Sequence, residues 1–328
     1  MRSYCVANSF SDHFSISFQY QTKQSVLMTR FLPIFLLSLF PFCKVKSQAD
    51  LSDTTLYFGQ KPPGLVAEVF APGIISLKDR YEYGSVFSRN GGEFYYSAIV
   101  NKKPQILMHE LKNGHWRSPV IILASEKYEY NDPFLSPDQT KLFFISDRPI
   151  DGQGDVKDFD IWYIERTKDG WSEPKNAGKE INTIKNEYYM SFTDEGTMYF
   201  STNGDTGQAD EKNFDIRYSK LVDNKFTPSQ KVSAAINTEY YEADVFVAPD
   251  ESYLIFCAER PDGMGKGDLF ISFKDKNGNW QSSKNMGKRI NSEGYEFCPF
   301  VSKDGKYLFF SRDGNIFWID ATVIDSLR

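Results

Sequence analysis

The sequence predicts an all-β fold, a ring of five small sheets, and three observations carry that expectation. A hairpin text recurs five times, its copies are nearly evenly spaced, and the composition favours strands. The hairpin is clearest at 134–146, Phe-Leu-Ser-Pro-Asp-Gln-Thr-Lys-Leu-Phe-Phe-Ile-Ser. Pro pre-sets φ and Asp bonds its own backbone, so Ser136-Pro137-Asp138 marks a tight turn between two strands. Leu142 to Ile145 is an apolar run of β-formers too short for a helix. Further copies begin near Ser88, Met190, Val247 and Phe300. Their turn residues, taken as Asn90, Asp138, Asp194, Asp250 and Asp304, are 48, 56, 56 and 54 residues apart. A period of this size, with strand and turn signals, points to a radial array of sheets. Aromatics make up 16% of the 328 residues, with 28 Phe and 19 Tyr, and these residues suit strands. No stretch holds a helical period over three turns.

From the N-terminus, residues 1–27 carry no pattern. Met28-Thr29-Arg30, an apolar run over 31–42 and the tail Cys43 to Gln48 have the order of a secretory signal: a cationic start, a short apolar core and small residues before a cut. Val45 and Ser47 place the cut after Ser47, and Met28 is the alternative start. The apolar run falls well short of the roughly 20 residues a membrane helix needs. A lipid anchor at Cys43 is the other reading, disfavoured because bulky Phe42 precedes it. The expected organisation is therefore a leader over 1–47 and one propeller domain over 48–328, exported to the periplasm or beyond. Removing 1–47, with five basic residues and one acidic, takes the formal net charge from −6 to −10. That balance argues against nucleic acid or an anionic membrane as partner.

Residues 65–76 hold no hairpin but resemble the ends of later repeats, at 171–182 and 280–291, which finish in Ile181-Asn182 and Ile290-Asn291. Each repeat thus has two hairpin strands, a third such as Asp160-Ile161-Trp162-Tyr163, and a fourth starting near Trp. The last repeat stops after its third strand. The economical solution is that the N-terminal segment supplies the missing fourth, closing the ring and removing open edges. Five blades is the count; six would need a blade the sequence does not show.

The repeats resemble the TolB-like, WD40-like β-propeller family, on "FLSPDQTKLFFISDRP", "FVAPDESYLIFCAERPDGMGKGDLF" and "FVSKDGKYLFFSRDGNIFW". The resemblance covers about residues 80–320. It implies a propeller, found in periplasmic scaffolds, enzyme-fused domains and secreted proteins alike, and says little about activity.

Candidate site residues are acids ahead of each first strand, most flanked by Tyr: Glu82 with Tyr83, Glu129 with Tyr130, Glu187 with Tyr188, Glu242, and Glu296. In a propeller the first strand of each blade is innermost, so these are expected to ring one channel mouth and to hold a cation or sugar. The competing account makes each Glu a repeated cap on backbone N–H groups. A second set, Asp147-Arg148 facing Asp160 and Glu259-Arg260 facing Asp268, is expected to form ion pairs inside blades. Gly- and Asp-rich inserts at 149–158 and 203–213 lack the order of a Ca²⁺-binding EF-hand loop, so no cofactor is expected, with Ca²⁺ as the reserve reading. Two histidines, His109 and His115, remain after the leader, too few for His-based zinc or triad chemistry. No nucleophile elbow, Cys-x-x-Cys or phosphate loop occurs. Cys257 and Cys298 could pair or stay as thiols. The function these features favour is a non-enzymatic binding or scaffold module, a monomer with no transmembrane span, for a protein or glycan partner; a carboxylate-based glycosidase is the alternative.

Overall fold

The computed structural model describes residues 53–204 and 213–328. The signal-like leader, Met28, Cys43 and most of the second Gly/Asp insert lie outside the described residues.

Five antiparallel sheets follow the five repeats. Their innermost strands are Glu82–Phe87, Asn131–Leu135, Glu187–Phe192, Tyr241–Val247 and Phe297–Val301. Each pairs with the second strand of its hairpin, which pairs in turn with the third. Each innermost strand lies against the next around the axis, and the first lies against the fifth, so the ring is closed. The last sheet takes its outer strand from the N-terminus: Glu68–Val69 pairs antiparallel with Asn315–Asp320, Glu68 opposite Trp318. One short strand near the start of the described residues and three near their end make this blade, so closing the ring staples those two segments together.

Aromatic side chains hold that staple in place. Tyr57, Phe58 and Phe70 sit between the fifth and first blades. Tyr57 packs edge-on against Phe87 of the first blade and Tyr307 of the last, with ring centroids 5.5 and 5.0 Å away. Phe70 is fully buried and meets Phe94, Phe309 and Trp318. Phe58 stacks on Trp116 at 4.1 Å. Burying rings of this size dominates local packing energy.

The hairpin turns work as the sequence implied. Ser136 Oγ donates to Asp138 Oδ1 at 2.6 Å and accepts the Lys141 N–H at 2.9 Å, while Thr140 N–H bonds Asp138 Oδ1. Ser88-Asn90 and Ser302-Asp304 repeat the arrangement. Three residues after each leading Ser, Thr or Ala, φ is positive: Gly91, Gln139, Gly196, Glu251 and Gly305. This register corrects one assignment. In the third blade the turn begins at Thr193, so Glu195, not Asp194, stands where Asp138 does. Asp194 instead bonds Arg89 of the first blade and Lys303 of the fifth, at 3.2 and 2.6 Å.

The repeated Asn at the end of Ile-Asn also has a physical reason. Asn182 accepts the N–H of Ile161 and donates to its carbonyl, both at 2.9 Å. Asn237 does this for Ile216 and Asn291 for Leu269. The fourth strands are two residues long, so the amide completes the ladder for a buried backbone that would otherwise be unpaired. In the first blade the outer strand Val120–Leu123 is longer, and Leu123 pairs directly with Ile106 at the corresponding place.

Candidate functional site

The five innermost strands share an irregularity. Each carries a bulge whose central residue has positive φ: Gly84, Asp132, Tyr189, Asp244 and Cys298, between 30° and 53°. A bulge re-aims one side chain and increases local twist. Here it points the side chains of Asp132, Asp244 and Cys298 toward the channel. Two of them are carboxyls, Asp132 and Asp244, only 6% and 8% exposed. Gly84 has to be glycine, because a Cβ there would stand 2.5 Å from Asp132 Oδ1. Cys298 lies between the two acids. Its Sγ is 3.5 Å from Asp132 Oδ1, and its backbone N–H serves Asp244.

Above this layer opens a pocket of about 290 Å³, lined by Tyr83, Tyr188, Tyr241, Tyr295, Phe159 and Phe297, with Glu129, Asn131, Asp132 and Asp244 as its polar groups. Tyr83 donates its hydroxyl proton to Asn131 Oδ1. Tyr188 stacks on Phe214 at 5.1 Å. Burial pushes the Asp132 carboxyl up to about 7 and Asp244 up to about 8, the latter helped by the nearby Asp132 charge. Burial likewise raises the Tyr188 phenol to about 12 and the Cys298 thiol well above its ordinary value. At the opposite end the bore is filled by Phe134, Phe246 and Phe300, with successive centroids 6.0 Å apart, so the pocket is blind.

The expected ring of glutamates is not part of this mouth. Glu82, Glu187, Glu242 and Glu296 are fully buried at the blade junctions. Each caps the segment that leads into its strand. The Leu77 N–H and Arg80 bond Glu82. Thr183 N–H, Thr183 Oγ1 and Thr202 Oγ1 bond Glu187 at 3.1, 2.8 and 2.9 Å. Thr238 and Arg260 bond Glu242, the latter at 2.9 Å. Ser292 bonds Glu296, and Arg312 lies 3.5 Å away. The spacing Thr183–Glu187, Thr238–Glu242, Ser292–Glu296 was visible as a hydroxyl four residues before each acid. Glu129 is one residue out of step: Tyr130 takes the buried place, packed edge-on to Phe144, which turns Glu129 toward the pocket, 3.8 Å from Lys103. Of the eight expected site residues, Tyr83, Glu129 and Tyr188 line the mouth.

The arginines of the second set correct another expectation. Arg260 pairs with Glu242, not Asp268, and lies over Phe270. Arg148 lies over Trp162, while Asp160 pairs with Lys157 at 2.9 Å. Cys257 and Cys298 are both free and buried. Asp132, Asn131 and Asp244 were missed. Their one sequence signal is a polar residue interrupting an otherwise apolar innermost strand, in Asn131-Asp132-Pro133 and Ala243-Asp244-Val245. Among the described residues no three His, Cys, Asp or Glu side chains converge as metal ligands, and no helix is long and apolar enough to cross a membrane.

The chain is a five-bladed β-propeller. Its structural neighbours include TolB from Acinetobacter baumannii, at 14% identity and TM-score 0.48 over 72% of this chain and 53% of that one. The chain thus spans about half the length of that relative. A thermostable family-43 glycoside hydrolase is similar at 14% identity and TM-score 0.48, over 74% of this chain and 89% of that one. A protein of unknown function from Dyadobacter fermentans is similar at 13% and 0.48, over 80% and 84%. At these identities the likeness concerns the fold. No protein-family model and no curated protein matches the sequence.

Proposed function

We propose that this protein is an exported binding module that takes its ligand, part of a protein or glycan partner in the periplasm or cell envelope, at the channel mouth. One observation carries the reading. The propeller converges six aromatic rings and four polar side chains on a single blind pocket, while its other buried acids are spent on caps and ion pairs. Aromatic walls with a few placed polar groups are the usual make-up of a recognition site. The signal-like text at 28–47 supports export.

Hydrolysis is a weaker reading of the same pocket. A glycosidase needs one carboxyl held neutral and one ionised, so their environments must differ. Asp132 and Asp244 are pushed in the same direction by the same burial. The test is a thermal-shift panel of envelope polysaccharides together with a pull-down from an envelope fraction, comparing wild type with Tyr188→Ala. A ligand or partner lost with the ring supports the mouth. Undiminished capture by the variant overturns it.

A further inference from the structure

Resting on the channel mouth as the binding site, the geometry points to a primary ammonium group as what it recognises, seated on Asp132 and Asp244 inside the aromatic wall. The charge of these two carboxyls is unmatched. Five other buried carboxylates have cations at hand: Arg80 for Glu82, Arg260 for Glu242, Arg312 for Glu296, Lys157 for Asp160 and Lys231 for Asp215. Glu187 and Asp268 have no cation, but each accepts three hydrogen bonds, from Thr183 and Thr202 and from Met264, Gly265 and Asn285. Asp132 and Asp244 have no cation among the described residues. What acts on them is burial, each other, and the thiol and backbone N–H of Cys298. A buried carboxyl without a cation is costly and normally avoided. Two of them, on different blades, aimed by positive-φ bulges into one open pocket, are an arrangement that an incoming cation would complete.

The wall suits a cation as well. Tyr83, Tyr188, Tyr241, Tyr295 and Phe297 present ring surfaces to the same space. Ring faces attract cations, the more so when desolvated. An ammonium brings three N–H donors, enough for both carboxyls and the Asn131 carbonyl. A hard divalent metal suits the pocket less well. It wants six or more oxygen ligands, and the third bulge side chain nearby is a thiol whose proton is held tightly.

Charge balance follows directly. With the carboxyls raised to about 7 and about 8, the empty site holds two largely neutral acids at pH 6. As one R–NH₃⁺ enters, one carboxylic acid ionises and its proton passes to the buffer, leaving an ammonium–carboxylate pair. Binding therefore strengthens as pH rises, by roughly tenfold per unit below the raised carboxyl values. Asp132 is faced by Tyr83, Tyr188, Tyr189 and Cys298. Asp244 is faced by Tyr241, Tyr295, Cys257 and that same Cys298. Burial raises all of these further, so none competes in the range from pH 6 to 8. Glu129 stands farther out with Lys103.

The experiment is calorimetric titration of the full chain at pH 6 and pH 8. The probes are a capped Gly-Lys-Gly tripeptide, its norleucine counterpart, spermidine and CaCl₂. The lysine peptide or spermidine should bind with release of about one proton per ammonium at pH 6 and less at pH 8, at least about tenfold tighter at pH 8, and the norleucine peptide should not bind. Asp132→Asn and Asp244→Asn should each weaken binding about tenfold or more. Both variants keep the shape of the neutral acid and should fold, which circular dichroism checks. Preference for the lysine peptide identifies a protein partner; preference for spermidine identifies a free polyamine. Equal binding of the norleucine peptide, or Ca²⁺ binding that both Asn variants abolish, overturns the ammonium. Glycan binding that needs Tyr188 but ignores both Asn variants also overturns it while leaving the mouth as the site. Failure of every probe and partner to depend on Tyr188 removes both readings.

Discussion

Replacing Asp244 with Asn should flatten the pH dependence of folding stability. In the folded chain this carboxyl is raised from 3.8 to about 8. An acid with a raised folded value binds its proton more tightly when folded. Its contribution is therefore fully present below pH 4 and is lost progressively as pH climbs toward 8. At about 1.36 kcal/mol per pKa unit, a shift of roughly four units amounts to about 5 kcal/mol over that span, most of it gone by pH 7. Asn is nearly isosteric with the protonated acid and has no proton to lose. Wild type and Asp244→Asn should thus be close in stability at pH 4.5, and the variant should be more stable by several kcal/mol at pH 8. Burial of His109, which lowers its pKa, adds a pH dependence of its own below pH 6.5, but it is common to both proteins and cancels in the difference. Urea titrations at pH 4.5, 6, 7 and 8, with midpoints compared at constant slope, measure it. A stability difference that does not change with pH would refute the reasoning, because Asp244 would then ionise as readily folded as unfolded.

Three further outcomes follow from the same packing. Gly84→Ala places a Cβ 2.5 Å from Asp132 Oδ1 in a backbone with φ +51°, so chemical denaturation should show a loss of about 2–4 kcal/mol. Phe70→Ala removes a fully buried ring from the junction that closes the ring of blades and should cost about 3–5 kcal/mol in the same assay; a loss under 1 kcal/mol would mean the N-terminal strand is not what seals the fifth blade. Arg260→Met strands Glu242 without its cation and should cost about 3–5 kcal/mol, with Glu242→Gln in the same chain recovering a large part.

A good deal of this molecule could be read from its text. The repeat, the turn chemistry of Ser136-Pro137-Asp138, and the match of residues 65–76 to the ends of later repeats were enough for five blades and for an N-terminal strand that completes the last. These are local patterns, and a periodic fold writes them several times, so errors in one copy are outvoted by the others. The same averaging misled at the site. Five acids near five strands looked like one ring, yet four of them cap their own loops, three through a hydroxyl four residues earlier and Glu82 through the Leu77 N–H and Arg80. Glu129 differs from them by one position, and one position along a strand turns a side chain to its opposite side.

What the sequence by itself determined is the architecture: strand order, blade number and the end that closes the ring, all set by short-range turn signals and by short apolar runs rich in aromatic residues. What only the tertiary structure decided is the site. Asp132, Asp244 and Cys298 lie in three different repeats, in strands that otherwise read as core. They meet because a bulge with positive φ recurs in every innermost strand and the closed ring brings those bulges to one axis. No neighbour in the chain reports that meeting, and neither the desolvation that raises the two acids nor the pocket above them exists until the ring is closed.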